Sequence, residues 1–338
     1  MSPVPEVTVV IPTRDRWETL SRSALPAVFM QEDVSLDVVV VDDGSSDETR
    51  AGLASLDLPD LRVVRHDVSQ GVSAARNAGV ALARGEWLAF LDDDDIWAPR
   101  KLRTQIDLAV DEGVDYVFSS AVIIDRFRRL IAYTAVPDDD DLVSLLLWKN
   151  VVPGGCSNLV ARADLVRRLG GFDERLSMLA DWDLWLRLAL EASGARCAEI
   201  HVGYLQHEGN MALRAPKVVF RESAYFATKH RRPGAGLPAF DPLSAIRWVG
   251  WENFWAGNRF RAGRLFLRAG VTERSWDDFG RGVRFLVWAL APDSFSRAFW
   301  RRRHAVDPDE RPDLPEIDWL RRYDAIAPGG DERVPLAS

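Results

Sequence analysis

The first 120 residues alternate between short apolar runs and amphipathic stretches. Runs at 7–12 (VTVVIP), 36–43 (LDVVVVDD), 61–66 (LRVVRH), 86–93 (EWLAFLDD) and 114–120 (VDYVFSS) are apolar at successive positions. They read as strands with both faces buried. Between them, 17–30, 46–56, 72–83 and 99–111 carry helical spacing. The second of these opens on SSDET, a serine cap with acidic residues in the first turn, and the fourth places Pro99 in its first turn. Such alternation predicts an α/β fold, a mostly parallel sheet with helices on both faces. Ligands of these sheets bind off the carboxyl ends of the strands. IPTRDR follows the first strand, DDGSSD the second and LDDDD the fourth, so three polar clusters should meet on one rim.

Beyond residue 120 the pattern loosens. An acidic loop, PDDDDL (137–142), and a glycine turn, VVPGGCSNLV (151–160), lead to a helix near 163–169. An amphipathic helix follows at 179–194, with Trp182, Trp185, Leu186 and Ala189 spaced for one face, and then a strand near 197–205. After about residue 215 the chain reads as helical and holds more than half of the 13 tryptophans. The expected division is 1–211, a helical region at 212–318, and an extended tail at 319–338 rich in Pro, Asp and Gly. No internal repeat is visible.

Composition narrows the class. With 47% hydrophobic and 28% charged residues the chain is ordinary for a globular protein, and its net charge of −8 argues against a nucleic-acid partner. Acidic residues outnumber basic ones up to about residue 210, and the balance reverses after it. Cys156 and Cys197 are too few for a disulfide framework, which makes the cytoplasm the default compartment. The N-terminus has no basic-then-apolar leader, and no uncharged apolar run approaches the ~20 residues that span a bilayer. A cytoplasmic protein, possible at the inner face of a membrane as a peripheral one, is the expectation.

The aspartate run Asp92–Asp95 ends an apparently buried strand. A solvated loop or an acidic cap would also account for it. Alternation along a strand would instead turn Asp92 and Asp94 to one side, a hard-oxygen site suited to Mg²⁺ or Mn²⁺, with Asp95 capping the helix near Pro99. Asp42 or Asp43 before Gly-Ser-Ser reads either as a tight turn or as an acceptor for a base or ribose. In SQGVSAARNAG (69–79), Gly71 opens a helix whose amides favour an anion, and Arg76 lies one turn inside.

Together VVIPTRDR, VVVVDDGSSDET, GVSAARNAG and LAFLDDDDIWAPRKL, in this order, resemble the nucleotide-binding half of glycosyltransferase family 2, specifically over 7–103 and more loosely to about 210. The resemblance implies a GT-A fold, a Rossmann-like mostly parallel mixed sheet with a helical C-terminal appendage. Within 1–211 it implies a nucleotide-binding half (1–103) and an acceptor half (104–211). It further implies a nucleotide-diphosphate sugar donor, most often a UDP-sugar, a divalent cation (Mn²⁺ or Mg²⁺) and inversion at the anomeric carbon. By the same resemblance Pro12, Thr13, Arg14, Asp43, Arg76, Asp92 and Asp93 contact the nucleotide, and Asp94, Asp92 and His207 the metal. Asp181 in LADWDLWLRL falls on the catalytic base, although Ala180 stands where the family often has Glu, and Asp183 is a nearby rival. Asp181 could equally cap its helix, His207 could be structural, and Trp182 could be core. Gly154, Gly155, Trp182 and Asp183 are candidates for contact with the donor sugar or acceptor.

The basic, aromatic stretch 281–304 reads either as an interfacial segment on an anionic membrane or as packing against the domain or a second subunit in a homodimer. The leading function is an inverting glycosyltransferase moving one sugar to an acceptor (glycan, lipid-linked, peptide or small molecule). The alternatives are a catalytically inactive nucleotide-sugar binding protein and a nucleotidyltransferase.

Overall fold

Val7–Thr13 (β1) is buried at every position, because the strand lies mid-sheet with a partner on each side. The computed structural model describes residues 4–58, 60–207, 216–231, 236–290 and 315–326. The first helix, α1, runs through Trp17–Thr19, a π-helical turn Leu20–Ala24, and Leu25–Phe29. The elements that follow are β2 (Leu36–Asp42), α2 (Asp47–Ala54), β3 (Leu61–Arg65), α3 (Val72–Leu82), β4 (Trp87–Phe90), β5 (Ile96–Trp97), α4 (Lys101–Glu112), β6 (Tyr116–Ile124), β7 (Leu130–Thr134) and α5 (Leu142–Trp148). After the turn Gly155–Asn158 come β8 (Val160–Arg162), α6 (Ala163–Arg168), α7 (Ala180–Glu191), β9 (Gly194–Leu205), α8 (Pro216–Lys229), α9 (Ser244–Trp255), α10 (Arg259–Glu273) and α11 (Trp276–Leu290).

Among the described residues nine strands form one mixed sheet, ordered β3-β2-β1-β4-β8-β6-β9-β5, with β7 on β6. β1 pairs in parallel with both β2 and β4, so Val9 lies between Val38 and Ala89. The chain thus winds outward in opposite directions from β1, and the crevice at the carboxyl ends of β1 and β4 is the topological switch point. β4–β8, β8–β6, β9–β5 and β6–β7 are antiparallel. The α/β expectation therefore holds, with a more mixed second half than the first.

Some expectations change. β4 stops at Phe90, so the aspartates lie in a turn beyond the strand, and strand alternation does not orient them. β3 is an edge strand and only partly buried. β5, β7, β8 and α5 are too short to leave a periodic signature. Ser46 sits at the N-cap of α2, but its hydroxyl caps nothing there.

Two apolar cores sandwich the sheet. One holds α1 and α4; the other holds α7 together with Val219, Phe226, Ala245 and Val249 from α8 and α9. The helical region beginning at 212 thus contributes to the core of the preceding part. Residues 315–326, which overlap the expected tail, form a 3₁₀ helix. It buries Leu320 and Tyr323, and the Tyr323 hydroxyl donates to the Trp97 carbonyl at 2.7 Å. The rest of the tail, and the 212 boundary itself, lie outside the described residues. Among the described residues no helix is long and apolar enough to cross a membrane.

Candidate active site

The four aspartates coexist because they fan out to different partners. Asp92 receives Arg76 Nη2 at 2.5 Å. Asp93 receives the Thr13 hydroxyl at 2.8 Å and Arg16 Nη1 at 2.9 Å. Asp94 Oδ2 receives the same Arg16 nitrogen at 2.6 Å and lies 2.8 Å from His207 Nε2. Asp95 is fully buried, taking the Ser157 hydroxyl at 2.5 Å and the Leu205 amide at 2.9 Å. Burial, followed by the charges of Asp94 and Asp92, raises the Asp95 carboxyl well above its ordinary value. Burial and then Asp94 push Asp93 up to about 7. Burial also works against ionised Asp94, but His207 and Arg16 outweigh it and hold that carboxyl below its ordinary value. Repulsion in the run is thus relieved by two arginines, a histidine and the hydroxyl and amide donors around Asp93 and Asp95.

This corrects three expectations. Asp95 does not cap the next helix, which starts at Lys101; there Gln31 Oε1 accepts the Leu102 amide at 3.0 Å. Asp92 and Asp94 do not share a side: Asp92 turns to Arg76 and Asp94 to His207. Arg16, which sequence reading passed over in favour of Arg14 in the same IPTRDR stretch, is the bridging cation. Arg14 is 58% exposed and donates to Ser69 at 2.9 Å. Pro12 and Thr13 are buried at the end of β1, in register with Val41 and Asp42.

Asp43 stands at the rim with its carboxylate filled. It accepts from the amides of Gln70 and Gly71 at 2.8 and 2.9 Å and from the Ser69 hydroxyl at 2.6 Å, and His66 Nδ1 lies 2.8 Å away. Burial acts to raise its carboxyl, but these bonds prevail and hold it at about 2. Asp43 therefore ties down the loop that leads into α3 and Arg76. The Arg76 side chain is buried, and its Nε has no partner among the described residues.

Asp181 faces the tandem glycines. Gly154 and Gly155 have φ of +65° and +56°, and a Cβ on Gly155 would lie 3.3 Å from Asp181 Oδ2. Their left-handed conformation turns the chain past the carboxylate. Asp181 Oδ1 accepts the first-turn amide of Trp182 at 2.7 Å, so it serves the start of α7 from inside the helix, while Leu179 stands at the N-cap position. Glu222 of α8 holds the segment just ahead of the helix, accepting the amides of Ser177, Met178 and Leu179 at 2.9, 2.8 and 3.1 Å. Burial raises the Asp181 carboxyl above its ordinary value, and Arg76 opposes this only in part. Asp181, Arg76, Asp92, Gly154 and Gly155 all line one cavity of about 350 Å³, closed on its other side by Trp248, Trp251 and Glu252 of α9.

Two candidates leave the site. Trp182 is 1% exposed, and its indole donates to the Leu146 carbonyl at 2.7 Å, so it is core. Asp183 is fully buried, bound by Arg187 and Lys229 and lying 2.8 Å from His230 Nε2. It locks α7 to α8 and is no rival base. Both residues point away from the cavity because they lie one and two positions along the helix from Asp181.

Among the described residues no three His, Cys, Asp or Glu side chains converge as a metal site. The Asp94–His207 pair still fits a divalent cation in part, since it offers one carboxylate and one imidazole, both partly exposed, to an ion that keeps open positions.

Residues 8–162 match the family described as Glycosyl transferase family 2. The chain carries a family 2 glycosyltransferase domain. This bears out the resemblance read from residues 7–103. The chain is similar to the succinoglycan biosynthesis protein ExoO of Rhizobium meliloti, 34% identical over 222 residues that cover 62% of this chain and 63% of the relative. It is also similar to the UDP-Glc:alpha-D-GlcNAc-diphosphoundecaprenol beta-1,3-glucosyltransferase WfgD of Escherichia coli, 29% identical over 182 residues, covering 54% of this chain and 69% of that one. In fold it resembles a mannosyltransferase from Pyrobaculum calidifontis solved with GDP-Man and Mn²⁺. That match has a TM-score of 0.53 and 18% identity, and covers 96% of this chain and 86% of that one. The sheet and its helical appendage are those of the GT-A glycosyltransferases.

Proposed function

We propose that the chain is an inverting glycosyltransferase that moves one sugar from a nucleotide-diphosphate sugar, a UDP-sugar, to an acceptor hydroxyl, with Asp181 as general base. The observation that carries this reading is the placement of Asp181. Its Oδ1 accepts the Trp182 amide at 2.7 Å, and the carboxylate lines the cavity that also holds Arg76 and Asp92, with Oδ2 towards Gly155. The name of the Escherichia coli relative supports UDP as the nucleotide.

The donor occupies the switch-point crevice, with its diphosphate near Arg76, whose unpartnered Nε is a spare donor for a phosphate oxygen. The acceptor enters past Gly154 and Gly155. Its hydroxyl oxygen attacks the anomeric carbon opposite the diphosphate, the bond from that carbon to the phosphate oxygen breaks, and Asp181 takes the hydroxyl proton. Burial of Asp181 raises its proton affinity and so suits it to that task. Arg76 meets the negative charge that grows on the leaving diphosphate. A dication held at Asp94 and His207 would supply further positive charge there.

Incubation with UDP-sugars and analysis of the product linkage test the proposal. Wild type should release UDP in an acceptor-dependent way with inverted configuration. Turnover at the wild-type rate by Asp181→Asn would end the assignment, and donor binding by calorimetry without turnover of any donor would mark a binding protein.

A further inference from the structure

Helix α11 is apolar on two opposite sides. Gly282, Phe285 and Trp288 pack inward, Phe285 stacking on Phe254 at 4.3 Å between ring centres. On the other side Trp276, Phe279, Val283, Val287 and Leu290 recur every three or four residues and face outward, with Trp276 and Leu290 each 85% exposed. A surface helix normally turns polar residues to water, and single exposed hydrophobics are common, but a continuous row is not.

The neighbouring helix extends the same surface. Glycines bring α10 and α11 into backbone contact: a Cβ on Gly270 would lie 2.4 Å from the Phe279 nitrogen, and one on Gly282 would lie 2.6 Å from the Leu267 nitrogen. These contacts make the pair antiparallel, and helical geometry then sets Phe260, Arg264 and Val271 of α10 on the same side as the apolar row, while Arg268 turns to the Phe220 ring of α8. Arg261, Arg274 and Arg284 are exposed around it. Among the described residues Arg261, Arg264, Arg274 and Arg284 have no carboxylate partner. Of the exposed acids on the two helices, Glu273 is bound to Arg247, which leaves Asp277. The surface is therefore an aromatic and aliphatic strip framed by arginines.

We propose that this side of the α10–α11 hairpin docks on an anionic lipid bilayer, its apolar row entering the boundary between headgroups and acyl chains and its arginines meeting lipid phosphates. A second copy of the chain is the poorer occupant, because a two-fold contact would press the same arginines against one another. The hairpin is also fixed to the candidate active site. Trp251 lines the cavity and packs edge-on against Phe266 and Phe285 at 5.4 and 5.6 Å between ring centres. Docking would thus hold the cavity wall beside the membrane, within reach of an acceptor carried on a lipid.

Cosedimentation of the full chain with vesicles tests this without donor or acceptor, so its outcome is independent of the transfer chemistry. Vesicles of phosphatidylcholine containing phosphatidylglycerol should bind the chain at low salt, and phosphatidylcholine alone should not. The Val283→Asp/Val287→Asp and Arg261→Glu/Arg264→Glu pairs should each weaken binding about tenfold or more. Both pairs lie on exposed positions and should melt as wild type does; if the valine pair misfolds, the arginine pair decides alone. Brominated acyl chains should quench tryptophan emission in the wild type and do so less in Trp276→Phe. No binding to either vesicle, equal binding to both, or binding that the arginine pair leaves unchanged overturns the proposal. So does a dimer, seen by light scattering, that the valine pair converts to monomer.

Discussion

Glu222 holds Ser177 through two hydrogen bonds to one oxygen, from the Ser177 amide at 2.9 Å and from its hydroxyl at 2.7 Å. The other Glu222 oxygen takes the amides of Met178 and Leu179, just ahead of α7. A carboxylate 45 residues downstream of Ser177 thus anchors the turn that leads into Asp181. Glu222→Ala should cost about 2–4 kcal/mol, since it strands three amides that now bond a charged acceptor. Its kcat should fall as well, because Asp181 begins at the second residue of the helix that loosens. A urea midpoint and a rate measured on the same preparation check this, and full activity in a destabilised variant would separate the two effects.

Asp181 should oppose stability in order to serve chemistry. Its folded carboxyl binds a proton more tightly than the unfolded one, because burial raises it. The folded state therefore holds more protons, and stability drains away as pH rises from the unfolded value through the folded one. Asp181→Asn should lose about 10²–10⁴-fold in kcat. It should nonetheless melt higher than wild type at pH 8, with the gap closing towards pH 4. The acid limb of the wild-type kcat profile should lie above the range of an ordinary aspartate.

Asp43 works in the opposite direction. Its folded carboxyl is held at about 2 by the loop amides and by Ser69 and His66. The stabilisation is present above the unfolded value and is lost as pH falls through the folded one. Melting curves of Asp43→Asn and wild type should differ most above pH 5 and converge towards pH 2. An Asn also turns a donor towards amides that need an acceptor, which should cost about 1–3 kcal/mol at neutral pH.

Gly155→Ala should be poorly tolerated. A φ of +56° disfavours any side chain, and the new methyl would sit 3.3 Å from Asp181 Oδ2. A stability loss of about 1–2 kcal/mol and a larger loss of kcat are expected, since the methyl crowds the attack side. Donor affinity should change less than kcat if the turn borders the acceptor, and steady-state kinetics separates the two.

Chelation by EDTA should lower activity, and Mn²⁺ should restore it. His207→Ala should raise the Mn²⁺ concentration needed about 10-fold or more, measured by titration calorimetry and rate. Wild-type Mn²⁺ affinity in both this variant and Asp94→Asn would place the ion elsewhere.

Much of this protein is readable along the chain. Val7–Thr13 and Leu36–Asp42 announce themselves because their runs lie mid-sheet with both faces covered. The polar clusters at their ends follow from parallel topology, which delivers every carboxyl end to one edge. Short strands such as Ile96–Trp97, with a single pairing to Val202 and Gly203, leave no period to detect. Trp319 and Tyr323 lie in a stretch whose composition reads as tail, yet they pack at Ile200 and Trp97. Composition reports mean polarity, whereas burial depends on the few apolar side chains that find a surface.

The sequence by itself determined the sheet, the rim and the residue types gathered there, since each depends on neighbours in the chain or on repeating patterns. Tertiary structure alone decided which carboxylates pair with distant cations and which borders the cavity. Asp93 finds Arg16 across 77 positions, Asp94 finds His207 across 113, and Asp183 finds His230 across 47, while Asp181, two residues away, is left facing the cavity. A charge's partner, and hence its protonation and availability, is set by distance in space, and no local period encodes that.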